Sequence, residues 1–168
     1  RIEGWVTTLP VYVNIYQKGA SVTMYFSAVL DKKPDSFGTF VKDTVYADSR
    51  KQTGVGAGMY FRFNTTDQEK VSVKIGLSYT SVENARLNMQ KEAENMNFDQ
   101  AYASATKTWE EYLGRITVEG GEYTDRVKFY TGLYHALLGR GLASDISGAY
   151  PKNDGTMGQI PLDKDGAP

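Results

Sequence analysis

Between Lys70 and Ser81 the chain changes its hydropathy period without any linker. In Val71-Ser72-Val73-Lys74-Ile75-Gly76-Leu77-Ser78-Tyr79 the residues Val71, Val73, Ile75, Leu77 and Tyr79 share one side of a two-residue repeat, the pattern of a strand with one apolar face. From Val82 onward the apolar residues return at steps of three and four, as Val82, Ala85, Met89, Ala93 and Met96, which is one stripe of a helix. No Gly-, Pro- or Ser-rich tether lies between the two patterns. A β part and an α part are therefore spliced rigidly, and the fold class this predicts is α+β.

Upstream of the splice the chain reads as β throughout. Val22, Met24, Phe26, Ala28 and Leu30 fall on one face of a strand and Thr23, Tyr25 and Ser27 on the other. Val11–Tyr16 is predicted to pair with it as a hairpin across Gln17-Lys18-Gly19-Ala20. Asp31-Lys32-Lys33-Pro34-Asp35 marks a turn. Short strands follow near Gly38–Val41, Thr44–Ala47 and Met59–Phe63, with a polar, glycine-rich loop over Asp48–Gly58. Many short strands separated by turn residues predict part of a β-sandwich.

Downstream the chain reads as helix. Ser81 is placed to cap the first helix. Asn97 with Gln100 three residues on has the form of a capping box for a second, whose face is Phe98, Ala101, Tyr102, Ala105, Trp109, Tyr112, Leu113 and Ile116. Gly120-Gly121 breaks the run, and Thr124 is expected to cap a third helix with Val127, Tyr130, Leu133, Tyr134, Leu137, Leu138 and Leu142 inside. That last stripe is wide enough to expect neighbours on several sides. The chain also opens within a strand-like segment and closes on Asp163-Lys164-Asp165-Gly166-Ala167-Pro168, which reads as a turn. Both features predict a segment of a longer polypeptide.

Composition excludes several classes. The 168 residues carry a formal charge of −1, so there is no basic footprint for nucleic acid and no polybasic membrane patch. No apolar run approaches the roughly 20 residues that span a bilayer. With no cysteine, disulfides, thiolate nucleophiles and zinc–cysteine sites are ruled out.

Few side chains invite a chemical reading. Gly54-Val55-Gly56-Ala57-Gly58 is followed by a strand and has no Lys-Ser or Lys-Thr, so it reads as a connection within the β part and not as a phosphate loop. Glu110, Glu111, Glu119 and Glu122 are candidates for a carboxylate pair, but the first two flank Trp109 on the side of the helix expected to be solvated. Asp163-Lys164-Asp165-Gly166 has the middle of a calcium loop without its remaining ligands. Asn64-Thr65-Thr66 is a formal glycosylation acceptor that reads better as a turn. His135, the only histidine, sits mid-helix beside Tyr134 and reads first as a packed residue, with contact to a sugar hydroxyl as the functional alternative. In the loop Ser144-Asp145-Ile146-Ser147-Gly148-Ala149-Tyr150, Asp145 and Tyr150 are candidates to face a cleft, against the simpler reading of a turn and cap. His135, Asp145 and Tyr150 are thus the candidate substrate-binding residues. No catalytic residue and no metal ligand is nominated.

Four blocks carry a resemblance. They are Val73-Lys74-Ile75-Gly76-Leu77-Ser78-Tyr79-Thr80-Ser81-Val82-Glu83-Asn84-Ala85; Trp109 with Leu113-Gly114-Arg115-Ile116; Phe129-Tyr130-Thr131-Gly132-Leu133-Tyr134-His135-Ala136-Leu137-Leu138; and Ser144-Asp145 with Gly148-Ala149-Tyr150. In this order and spacing they resemble glycoside hydrolase family 92, the bacterial exo-acting α-mannosidases. The resemblance implies the C-terminal part of an N-terminal β-sandwich over residues 1–80, linker helices over 81–117, and the start of an (α/α)6 catalytic barrel over 118–168. It implies inverting, calcium-dependent hydrolysis of terminal α-mannose on glycans by a periplasmic or secreted bacterial enzyme. The acid, base and calcium ligands would lie mainly beyond Pro168, so the segment alone is expected to be inactive and to need the rest of its polypeptide, the further barrel helices, as partner. The chain departs from the common pattern at Gly139-Arg140-Gly141-Leu142-Ala143, where many relatives carry proline, and at Ser147, where an acidic residue is frequent. These departures imply a subgroup with its own linkage or glycan preference. The competing reading of the residues is a non-catalytic carbohydrate-binding or structural module, whose 12 tyrosines and 2 tryptophans would stack on sugar rings.

Overall fold

A computed structural model describes residues 1–138, 143–166 and 168. Strands β1 (Ile2–Thr8), β2 (Val22–Leu30), β3 (Ser36–Val41), β4 (Thr44–Ala47), β5 (Ala57–Arg62) and β6 (Val73–Ser78) are followed by helices α2 (Val82–Ala93), α3 (Phe98–Leu113) and α4 (Tyr123–Leu138). A short helix α1 (Val11–Tyr16) lies between β1 and β2, and β7 (Ala149–Pro151) with β8 (Met157–Gln159) follows α4. The α+β reading holds, with strands first and long helices after the splice. Leu142 and the departure at Gly139–Leu142 lie outside the described residues.

Two compact units divide the chain. One comprises Arg1–Ala28 with Lys74–Pro168, and the other Val29–Val73. The second contains the sheet β4-β3-β5, in which β3 pairs antiparallel with both neighbours, Phe40 opposite Val45 on one side and Gly58 on the other. The predicted turn at Asp31–Asp35 is held at its ends: Asp31 N–H donates to the Ser72 carbonyl at 3.2 Å, Asp35 N–H donates to the Arg62 carbonyl at 2.9 Å, and the Asn64 N–H donates to the Asp35 carboxylate at 2.6 Å. Lys32 bonds to the Glu69 carboxylate at 2.5 Å. Gly58 leaves room for the Phe40 ring, since a Cβ there would meet the ring at 2.3 Å.

In the first unit the sheet order is β1-β2-β6. The hairpin expected of Val11–Tyr16 is corrected here: that segment is helical, and the antiparallel partner of β2 is β1, with Trp5 opposite Tyr25 and Ile2 opposite Ala28. Six residues make fewer than two turns of helix, too few for a three-and-four-step stripe to develop. The segment expected as a loop after α4 includes β7, which closes a small hairpin with β8.

The period of β6 is as expected, but its filled face is the other one. Val73, Ile75 and Leu77 are about half exposed, whereas Gly76 and Ser78 are buried. The reason is α2. Its Ala85 and Met89 lie so close to Gly76 that an added Cβ would stand 2.1 Å from the Ala85 carbonyl oxygen and 2.6 Å from Met89 Cβ. Glycine is the residue that allows a helix backbone this near a strand. Ser81 caps α2 as predicted, its hydroxyl accepting from Asn84 N–H at 3.0 Å. The Asn97–Gln100 capping box of α3 is present in both directions. At α4 the cap differs: Thr124 is already inside the helix, and the Asp125 carboxylate accepts from the Glu122 N–H at 3.3 Å.

Among the described residues the buried hydrophobic side chains are Ala28, Ala85 and Met89, all in the first unit. The broad apolar faces of α3 and α4 hold no buried residue; Phe98 is 76% and Tyr102 67% exposed. β1 is tied to α2 by a two-pronged ion pair. Arg86 Nε donates to Glu3 Oε1 and Nη2 to Oε2, both at 2.9 Å, and Ser27 Oγ adds a bond to Oε1 at 3.0 Å.

Gly76→Ala is expected to destabilise the protein by roughly 1–3 kcal/mol, because the contacts it would strike are backbone and the root of a side chain that cannot swing away. Gly132→Ala in α4 meets nothing within 4 Å and should gain up to about 1 kcal/mol from helix propensity. Thermal denaturation of the two variants checks the pair, and an unchanged midpoint for Gly76→Ala contradicts the packing. A second prediction concerns pH. The Arg86 hydrogen bond, chief among the causes, holds the Glu3 carboxyl below its ordinary range, with Ser27 and the charges of Arg86 and Arg1 adding and partial burial opposing. A lowered folded-state value means the contribution is complete above the unfolded carboxylate titration and is lost as pH falls through the folded value. The stability deficit of Glu3→Gln should therefore be largest near neutrality and shrink in acid; urea titrations over a pH series that give a constant deficit contradict this.

Candidate functional site

The densest polar chemistry of the first unit lies where β6 ends and α2 begins. Asp145 is 3% exposed and reaches this junction from the far end of the chain. Its Oδ2 accepts from Ser78 Oγ at 3.0 Å and from Thr80 Oγ1, and its Oδ1 accepts from Asn88 Nδ2 at 2.8 Å. Asn88, one turn along α2 from Ala85 and also buried, gives its second Nδ2 proton to the Leu77 carbonyl at 2.8 Å and accepts Ile146 N–H on Oδ1 at 3.0 Å. Asn84 Nδ2 donates to Thr80 Oγ1 at 2.7 Å, and Ser78 Oγ accepts the N–H groups of Thr80 at 2.9 Å and Ser81 at 3.2 Å. A buried carboxylate without donors is costly, and here each oxygen has at least one.

The local sequence explains why the loop can deliver Asp145. Asp at the first and Gly at the fourth position suit a turn, and Gly148 N–H donates to the Asp145 carbonyl at 2.7 Å. Asp145 N–H donates in turn to the Ala149 carbonyl at 2.8 Å. Gly148 has φ +81°, and a Cβ there would stand 2.4 Å from the Ile160 carbonyl oxygen, so both conformation and space require glycine. Gln159 then donates to the Ser147 carbonyl at 2.6 Å, fastening the loop to β8.

The three sequence-nominated residues are not gathered into one site. Asp145 is spent within the junction. Tyr150 lies in β7 with its ring over Gly158, where a Cβ would meet the ring at 2.2 Å. His135 is exposed on α4, not packed, and its ring faces that of Tyr134 with centroids 5.8 Å apart. Among the described residues nothing else covers this position of α4.

His135 instead lines an open trough of 660 Å³ along α4 and the end of α3, walled by Leu113, Tyr123, Val127, Tyr130 and Tyr134 and carrying Arg126 as its charged group. Trp109 of α3 stands 4.7 Å from Tyr134, ring centroid to ring centroid. No carboxylate lines this trough. Glu110 and Glu111 are exposed, as expected of the solvated side of α3, and Glu119 and Glu122 are exposed as well. Among the described residues no group of three or more His, Asp or Glu side chains is placed to hold a metal ion. Asp163 serves a turn, its carboxylate accepting Asp165 N–H at 2.8 Å and its carbonyl Gly166 N–H at 3.1 Å.

Sequence reading missed Ser78, Thr80 and Asn88. The clue to Asn88 was its position: it shares the face of Ala85 and Met89, so a polar amide stands in the middle of an apolar stripe. The hydroxyls of Ser78 and Thr80 gave no comparable sign.

Comparison with known proteins divides the chain between β6 and α2. The model of the glycosyl hydrolase family 92 N-terminal domain matches residues 1–78, and that of the family's catalytic domain matches residues 84–164. The solved GH92 family glycosyl hydrolase ccman5 gives a TM-score of 0.79 at 27% identity, covering 94% of this chain and 20% of its own. The family GH92 α-mannosidase BT3965 from Bacteroides thetaiotaomicron gives 0.71 at 25% identity, covering 85% of this chain and 20% of its own. An uncharacterized secreted glycosidase of Arthroderma benhamiae is 28% identical over 90 residues, 50% of this chain and 12% of that protein. The chain thus spans a minor part of the length of these relatives. The two family models leave only residues 79–83 and 165–168 unmatched, and the chain belongs to glycosyl hydrolase family 92.

Proposed function

We propose that this chain is a segment of a glycoside hydrolase that removes terminal α-mannose from glycans with inversion and with the aid of calcium, and that the segment has no activity by itself. Family membership supports the hydrolase, and the relatives support the sugar: BT3965 is named an α-mannosidase and has also been solved in complex with mannoimidazole. On this reading residues 1–80 end the β-sandwich, 81–117 are linker helices, and 118–168 begin the (α/α)6 barrel. Its further helices cover the exposed apolar faces of α3 and α4. The enzyme acts in the periplasm or outside the cell, in keeping with the secreted glycosidase among its relatives.

The observation that carries the inactivity is the disposition of carboxylates. Inverting hydrolysis needs one carboxylic acid to protonate the leaving oxygen and one carboxylate to activate water on the opposite face of the ring. The trough offers tyrosines, a histidine and an arginine but neither of these. Asp145, the buried carboxylate, has both oxygens occupied by protein donors. Among the described residues no three His, Asp or Glu side chains converge to hold a metal ion either. In this reading the metal belongs to other parts of the enzyme.

The purified 168-residue chain is expected to release no phenol from an aryl α-mannoside above the buffer rate, while the full-length enzyme releases mannose first as the β anomer, seen by proton NMR. Turnover by the chain alone, or the α anomer first, contradicts the proposal.

A further inference from the structure

We infer that Asp145 is a positioning residue of this enzyme and not a sugar ligand: its carboxylate, acting with Asn88, locks the loop Ser144–Tyr150 to the β6–α2 junction. The inference rests on the glycosidase reading for its consequence, but its geometry stands apart from that reading.

The surroundings of Thr80 and Asn88 fix their proton directions. Ser78 Oγ accepts two backbone N–H groups, from Thr80 and Ser81, so both of its lone pairs are used and its own proton must be given away. Thr80 Oγ1 accepts from Asn84 Nδ2, and the Ser78 hydroxyl beside it at 3.0 Å has no lone pair left to take the Thr80 proton. That proton goes to Asp145 Oδ2. The Asn88 amide is oriented just as firmly. Its Nδ2 faces two oxygens, the Leu77 carbonyl and Asp145 Oδ1, while its Oδ1 faces the Ile146 N–H. Reversing it would set oxygen against oxygen twice and N–H against N–H once.

Position 145 must therefore be an acceptor at both oxygens. Asparagine, the same size, brings an NH₂ that points either at hydroxyls with protons to give or at the Asn88 NH₂. A group that bound a sugar hydroxyl would need a free lone pair and access to solvent, and Asp145 at 3% exposure has no access. What the cluster does accomplish is to bind four separate pieces of chain to one another: the end of β6, the turn into α2, the second turn of α2, and the loop that follows α4. The loop in turn sets Tyr150 at the start of β7.

The test uses the full-length enzyme with Asp145→Asn, Asp145→Ala and the milder Thr80→Val, which removes one donor. Amide exchange at Ile146 and Gly148 is read by mass spectrometry, and kcat and KM are read on an aryl α-mannoside. Both Asp145 variants are expected to speed exchange in the loop by at least about tenfold, with asparagine no better than alanine, and Thr80→Val to speed it less. Activity should fall with the loss of protection. Wild-type exchange in Asp145→Asn overturns the inference, and so does a raised KM with wild-type exchange, the mark of direct sugar contact. Should the variants at 145 not fold, Thr80→Val decides by the same exchange measurement. A wild-type enzyme without glycosidase activity overturns the functional reading alone, because exchange still reports on the lock.

Discussion

The one side-chain amide of Asn88 bonds three groups from two other parts of the chain: the Leu77 carbonyl at the end of β6, and the Asp145 carboxylate and Ile146 N–H of the loop after α4. Around it the first unit solves a particular problem. A helix lies directly against a strand with only residues 79–81 between them, so the strand's last polar groups and the helix's first N–H groups fall in the same small buried space. Gly76 makes the approach possible by having no side chain. The polar groups that this approach buries then need partners. Ser78, Thr80, Ser81, Asn84 and Asn88 supply them for one another, and Asp145 supplies the acceptor that none of the others can. Buried networks of this kind are rigid only when complete, which is why a residue 57 positions from Asn88 belongs to the same small piece of structure.

This arrangement also explains why the strand pattern and the burial of β6 disagree. The alternation of Val73, Ile75 and Leu77 is correct as a strand signal, because the repeat is set by backbone geometry. Which face is covered within the unit depends on where α2 docks, and α2 docks on the glycine-and-serine face. The apolar face stays half exposed, as do the stripes of α3 and α4. In the proposed enzyme these are surfaces that the rest of the polypeptide covers.

Local rules were therefore legible and tertiary ones were not. Ser81 and the Asn97–Gln100 box are caps satisfied by residues three positions away, so three positions of sequence suffice to see them. Val11–Tyr16 shows the opposite case: β-branched and aromatic residues suggested a strand, and a six-residue helix formed between β1 and β2. Asp145 was visible as an unusual residue in an unusual loop, but its candidacy for substrate rested on where a loop after a helix might face. Its actual partners lie 57 to 67 positions upstream and carry no pattern that points to it. Family resemblance filled that gap for function, since four spaced blocks identify a lineage even where no single block reveals its chemistry. It did not fill the gap for mechanism, because the residues that match are mostly those that build the splice.

The central claim, that the loop after α4 is part of the β6–α2 junction, is tested most directly by native-state amide exchange on the unmodified protein. Ile146 N–H, held by the Asn88 side chain, should exchange with the same free energy of opening as the amides of α2 near Asn88, and far more slowly than those of the exposed turn at residues 153–155. An Ile146 amide that exchanges at the rate of that turn, while α2 remains protected, would contradict the account.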